Sequence, residues 1–282
     1  MIQFGMRAHD FCAPGNMVDV FDQLGDGKFR HIQLALAKSI TDYDFSYGHY
    51  SSGFAHYIGG LLKARGLHVA VLGCYINPVL PDETLRMAEV NRFIEHLKYA
   101  KRMNADMVGT ETGRYSLNMS VTPKTETEEC YRLLLDSFSK IAEAAESLGV
   151  TIGVEGVYNH TLSTPEKMSR FLYDLASPNI EVILDTANLI SPQTTEPQKQ
   201  DEIIDKAFEY YGDRITLLHL KDCVFTDGMQ DCRCPGTGLI QYNRLMKHVK
   251  NGKPEIIGLL EESSREDFTA DCQFFKQQFD LA

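Results

Sequence analysis

The chain has 282 residues, 43% apolar and 24% charged, with 39 acidic against 28 basic side chains and a net charge of −11. That balance argues against a protein whose affinity rests on neutralising nucleic-acid phosphates. No stretch approaches the roughly 18 uninterrupted apolar residues of a membrane span, and the length suits a single α/β barrel of about 250 residues.

Taken in order, eight short apolar runs read as strands: Ile2 to Met6, His31 to Leu36, His68 to Leu72, Asp106 to Thr110, Thr151 to Glu155, Glu181 to Asp185, Ile215 to Leu220 and Glu255 to Leu260. Between them apolar residues recur at the three- and four-residue spacing of helices. Glu83 to Met103 is one such helix. Glu128 to Leu148 is another, preceded by Thr125 and Thr127 and ending on Gly149, a residue suited to the left-handed C-terminal position. A third opens at Ser163-Thr164-Pro165-Glu166, where a hydroxyl cap precedes a proline whose missing N–H costs nothing in the first turn. Eight strands alternating with helices predict a parallel sheet closed into a (β/α)8 TIM barrel, one domain over residues 1–282. An open doubly wound sheet is the competitor, but neither GxGxxG nor GxxxxGK[ST] occurs.

The N-terminus MIQFGMRAHDF lacks a basic segment followed by an apolar one, so no export leader is expected. Seven scattered cysteines without CxxC pairing suit a compartment where thiols stay reduced, predicting the cytoplasm. Cys232 and Cys234 read as loop residues, and the nearby Gly236-Thr237-Gly238 reads equally well as a plain turn or as a backbone phosphate contact.

Catalytic groups in this fold gather at the C-terminal rim of the strands. Glu155, Asp185, His219 and Glu261 each close an apolar run, at intervals of 30, 34 and 42 residues, about one βα unit each. Any one alone reads as a helix cap or a solvated loop residue. Four at equivalent strand ends place three carboxylates and an imidazole around one point and predict a divalent cation, Mn²⁺, Mg²⁺ or Co²⁺ in preference to Zn²⁺. Other rim residues are Arg7, His9 and Asp10, then Gln33, Tyr75 and Asn77, then Glu111 and Arg114, His160, Asn188, and Lys221 with Asp222. Glu262 follows Glu261, and alternation along a strand sends only one of them inward.

These segments resemble the sugar isomerase and epimerase group of xylose isomerase-like TIM barrels. The likeness rests on VTIGVEGVYNH (Val150 to His160), VILDTANLI (Val182 to Ile190), LLHLKDC (Leu217 to Cys223) and IIGLLEES (Ile256 to Ser263), with MRAHDF and GTETGRY in support. It implies Glu155, Asp185, His219 and Glu261 as metal ligands, with Glu261 chosen over Glu262. It also implies proton abstraction next to a sugar carbonyl through a metal-stabilised enediolate, with Glu155 and Glu261, on strands expected across the barrel from each other, as acid and base. Arg7, His9, Glu111, His160, Asn188 and Lys221 are expected to bind a small sugar or sugar-derived substrate, and homo-oligomers are common in this group. Two departures stand out: Asn188 occupies a position where ketose epimerases carry His, and Gly156 one where Pro is frequent. Asn can hydrogen-bond a hydroxyl but cannot shuttle a proton. The readings that remain open are an isomerase or epimerase, an inosose dehydratase-type lyase, a noncatalytic sugar-binding barrel and an endonuclease-IV-like phosphodiesterase.

Overall fold

The computed structural model describes residues 1–282. Ten strands occur: β1 (Ile2–Arg7), β2 (His31–Leu34), β3 (His68–Gly73), β4 (Ala105–Glu111), β5 (Thr151–Glu155), β6 (Ile180–Asp185), β7 (Ile215–Leu220), β8 (Asp222–Thr226), β9 (Met229–Arg233) and β10 (Ile256–Leu260). Eight of them close a barrel in the order β1-β10-β7-β6-β5-β4-β3-β2, and every neighbouring pair is parallel. The remaining two, β8 and β9, form a separate antiparallel hairpin.

Eight long helices follow the barrel strands in turn: α1 (Met17–Gly25), α2 (Ser52–Ala64), α3 (Glu83–Ala100), α4 (Glu128–Leu148), α5 (Pro165–Leu175), α6 (Pro197–Tyr211), α7 (Tyr242–Gly252) and α8 (Phe268–Leu281). Their boundaries follow the capping chemistry. Thr127 accepts from the Cys130 N–H at the start of α4, and Gly149 takes φ +60° at its end. At α5, Thr164 accepts from the Lys167 N–H ahead of Pro165. None of these helices is long and apolar enough to cross a membrane.

The strands bury both faces. A cluster of 65 residues fills the layer between barrel and helices, while Ala70, Val71, Met107, Ile183, Leu217 and Leu259 form a second, smaller one. Small residues on β4 and β5 let the large side chains of this second cluster in. A Cβ on Gly153 would lie 2.5 Å from Met107 Sδ and 2.7 Å from Ile183 Cδ1.

The sequence expectation for β2 ran two residues too far, because Leu36–Ser39 coils into a helical turn. The helix expected to reach Met103 stops at Ala100 and tightens into a 3₁₀ turn over Lys101–Met103. The β8–β9 hairpin lies in the segment read as a loop, so Cys232 is a strand residue. Gly153→Ala should overpack the interior and cost about 1–3 kcal/mol of stability by denaturant unfolding; an unchanged midpoint would show that the interior yields without cost.

Candidate metal centre and catalytic mouth

Parallel register sets the site. Glu111 pairs with Glu155, Asp185 with His219, and Gly5 with Leu259, so residues of one pleat parity reach the same rim. Single ligand atoms of Glu155, Asp185 and His219 lie within 4.8 Å of one another, and all three residues are buried. Glu261, immediately after β10, is also buried and brings Oε1 to 3.4 Å from His219 Nδ1. Glu155 Oε2 lies 3.1 Å from that same nitrogen. Glu262 turns away instead, at φ +54°, and its exposed carboxylate meets Arg7.

So much buried negative charge requires cations. Lys221 Nζ lies 2.8 Å from Asp185 Oδ2 and 2.9 Å from Glu261 Oε2, and Arg7 Nη1 lies 3.1 Å from Glu261 Oε2. The Arg7 fork also grips Asp10 at 2.6 and 2.9 Å. Burial pushes the Glu261 carboxyl up, but Lys221, His219 and Arg7 outweigh it and hold the group well below the usual carboxylate range. At Asp185 burial and Glu155 prevail over Lys221, raising the group to about 6. Burial lowers His219, yet Glu261 and Glu155 more than offset it and lift the imidazole to about 9.

These residues fit a divalent cation. Neither buried ring nitrogen of His219 makes a hydrogen bond, so the imidazole has a free donor atom facing carboxylates. The Lys221 ammonium already occupies a position between two of those carboxylates, as a positive charge among convergent oxygens must. Oxygen donors with one nitrogen suit a hard or borderline ion.

Around this centre Asn188 bonds to two of the carboxylates. Its Nδ2 donates to Glu155 Oε1 at 2.5 Å, and its backbone N–H donates to Asp185 Oδ1 at 3.1 Å. Glu111 stands at the mouth, where burial and the charge of Glu155 raise it to about 7. His160 is buried with Nδ1 3.5 Å from Glu111 Oε2, and burial and Arg114 lower it to about 3. His9 is lowered to about 4, chiefly by burial and by Arg7 and Lys38. Tyr75 is reached by the Gln33 amide at 2.5 Å. Arg114 faces Met119 O and Asn159 Oδ1, both at 2.6 Å.

One expectation changes. Glu155 and Glu261 are not diametrically placed: β6 and β7 alone separate their strands, and both carboxylates approach one imidazole nitrogen. In the Gly-Thr-Gly segment a Cβ on Gly238 would come within 2.3 Å of Asp222 Oδ1, which accepts from the Cys223 and Ile240 N–H groups, so close packing requires the glycine there. The hairpin was missed as a wall of the mouth. Gln230 donates to Ala187 O at 2.7 Å, and Phe225 packs edge-on against Tyr158. The signal was Asp227-Gly228, both at positive φ (+52° and +76°), the dipeptide of a tight hairpin turn.

A family model described as a xylose isomerase-like TIM barrel matches residues 17–278, and the chain belongs to that family. Among solved structures it resembles a D-tagatose 3-epimerase-like protein (17% identity, 99% of this chain and 98% of that one, TM-score 0.74). D-psicose 3-epimerase from Clostridium cellulolyticum H10, solved with D-tagatose, matches at 13% identity over 99% of both chains with TM-score 0.72. The IOLI protein with a bound zinc atom matches at the same identity, coverage and TM-score. At such identities the likeness is one of fold. No curated protein matches in sequence.

With His219 raised to about 9, the cation-free protein carries a proton there at neutral pH, and ligation requires the neutral ring. Affinity for Mn²⁺ should therefore climb about tenfold per pH unit from pH 6.5 toward 9, measured by calorimetry at several pH values. An affinity independent of pH would remove His219 from the ligand set.

Proposed function

We propose that the protein is a divalent-cation-dependent sugar isomerase or epimerase that moves a carbon-bound proton of a ketose, a sugar phosphate or a related small hydroxy-carbonyl compound. The observation that carries this reading is the convergence of Glu155, Asp185 and His219, with Glu261 beside them, at the rim where this fold does its chemistry. These four residues would hold the cation, which when bound supplies Lewis acidity toward a substrate carbonyl.

The protein's own groups do the rest. Glu155 is the base: Asn188 fixes one of its oxygens, which limits the carboxylate to few orientations and keeps it aimed into the mouth. Asn188 itself moves no proton. Lys221 and Arg7 hold Glu261 anionic, so in this charge state it serves as a ligand and electrostatic partner more readily than as a proton donor. Glu111, raised by burial and by the charge of Glu155, is the second carboxylic group at the mouth and the candidate to return the proton. Arg7, His9, His160 and Lys221 line the approach and supply polar contacts to substrate oxygens. The alternative is a dehydratase acting on an inosose, which shares the first proton removal and differs in that the neighbouring hydroxyl then leaves, protonated, as water. Seven free thiols support a cytoplasmic protein, and association into homo-oligomers belongs to the same proposal.

A panel of ketoses, keto acids and inososes incubated with Mn²⁺ in D₂O tests this. We expect turnover of at least one member with deuterium entering at carbon. Glu155→Gln should lower the rate at least a hundredfold, the lower end of the ~10²–10⁴ contributed by a general base, while leaving the unfolding midpoint near that of the parent. Full activity in the variant would show that Glu155 is not the base, and binding without turnover would mark a sensor.

A further inference from the structure

The opposite rim carries a feature that the catalytic reading does not use. A cleft of about 520 Å³ opens at the N-terminal ends of β2, β3 and β4, and Arg30, His56, Lys63 and Arg102 line it. They come from separate segments: Arg30 just before β2, His56 and Lys63 on α2, Arg102 on the 3₁₀ turn before β4. No Asp or Glu lines the cleft. Elsewhere arginines meet carboxylates, as Arg65 meets Asp22, Arg170 meets Glu128 and Arg244 meets Asp205. The four cleft residues make no such pair. Asp106, at the same rim, is engaged by His68 at 2.7 Å.

Three permanent positive charges and an imidazole around one concavity repel one another, in a chain whose net charge is −11. The closed barrel needs none of them for packing, since all four side chains are exposed. Glycines leave the space clear: a Cβ on Gly60 or Gly66 would have nothing within 4 Å. The volume falls within the range of small-molecule sites, and two guanidinium forks can each give paired N–H donors to a tetrahedral dianion.

We propose that this cleft is a second binding site, for a phosphate dianion borne by a small molecule and remote from the catalytic mouth. A concavity of this size receives one or two anionic groups, whereas a nucleic-acid backbone requires a basic stripe across an extended face. Sugar chemistry at the other rim does not depend on it, so the two readings stand or fall separately.

Calorimetric titration of the full chain with inorganic phosphate, at ionic strength held constant with chloride, tests the site. One saturable event is expected, weakened at least tenfold in the triple variant R30Q/K63Q/R102Q. Gly60→Glu, which adds a carboxylate on an open helix surface, should cause the same loss and covers the case of a triple variant that folds poorly. Tighter binding of a phosphate monoester than of phosphate itself would identify a small metabolite as the source. The proposal is overturned by an unsaturable response, by affinity retained in both variants, or by preference for a single-stranded oligonucleotide.

Discussion

Everything at the C-terminal rim of the barrel depends on neutralising buried carboxylates. Glu155, Asp185 and Glu261 are each almost wholly removed from solvent, at 2%, 1% and 2% exposure, and the strands that carry them cannot retreat without opening the barrel. Charges in such surroundings interact several times more strongly than in water. Lys221, Arg7 and His219 supply the compensation the chain itself can provide and keep Glu261 anionic against the effect of burial, while Glu261 and Glu155 in turn raise His219 above its ordinary range. A divalent cation would take over that duty and release the imidazole as a ligand. The same electrostatic demand thus explains the ion pairs of the protein and the chemistry proposed for it.

The barrel meets this demand through register. One residue of slip would send Glu155 or His219 into the helix layer. The second apolar cluster, with Met107 and Ile183 filling the space left by Gly153, holds the strands below the rim. Above it, Asn188 ties the Glu155 and Asp185 carboxylates together, and the β8–β9 hairpin covers the loop after β6. The cleft at the other rim has the opposite sign, with its cations unpaired and carboxylates absent from its lining.

Most of the fold was legible because its signals are local: strand runs, hydroxyl caps at Thr127 and Thr164, and the glycine at position 149. The four rim residues were legible because strand ends at βα intervals are equivalent points on a barrel. What escaped depended on contacts distant in sequence. The bond from the Asn188 amide to Glu155 joins residues 33 positions apart, and only the folded chain shows it. The shared approach of Glu155 and Glu261 to one nitrogen follows from barrel curvature, which spacing does not encode. The early end of β2 arose because Leu36 is apolar in a helical turn as readily as in a strand. The hairpin is different, because its Asp227-Gly228 turn is a local signal of the sequence itself.

The most direct test of the central claim is the location of a bound cation. Crystals grown with Mn²⁺ and measured near its absorption edge should show one anomalous peak per chain between Glu155, Asp185 and His219, with Glu261 turned toward it and the Lys221 ammonium displaced from Asp185. A peak elsewhere on the molecule, or none at saturating Mn²⁺ with Lys221 still in place, would contradict the account.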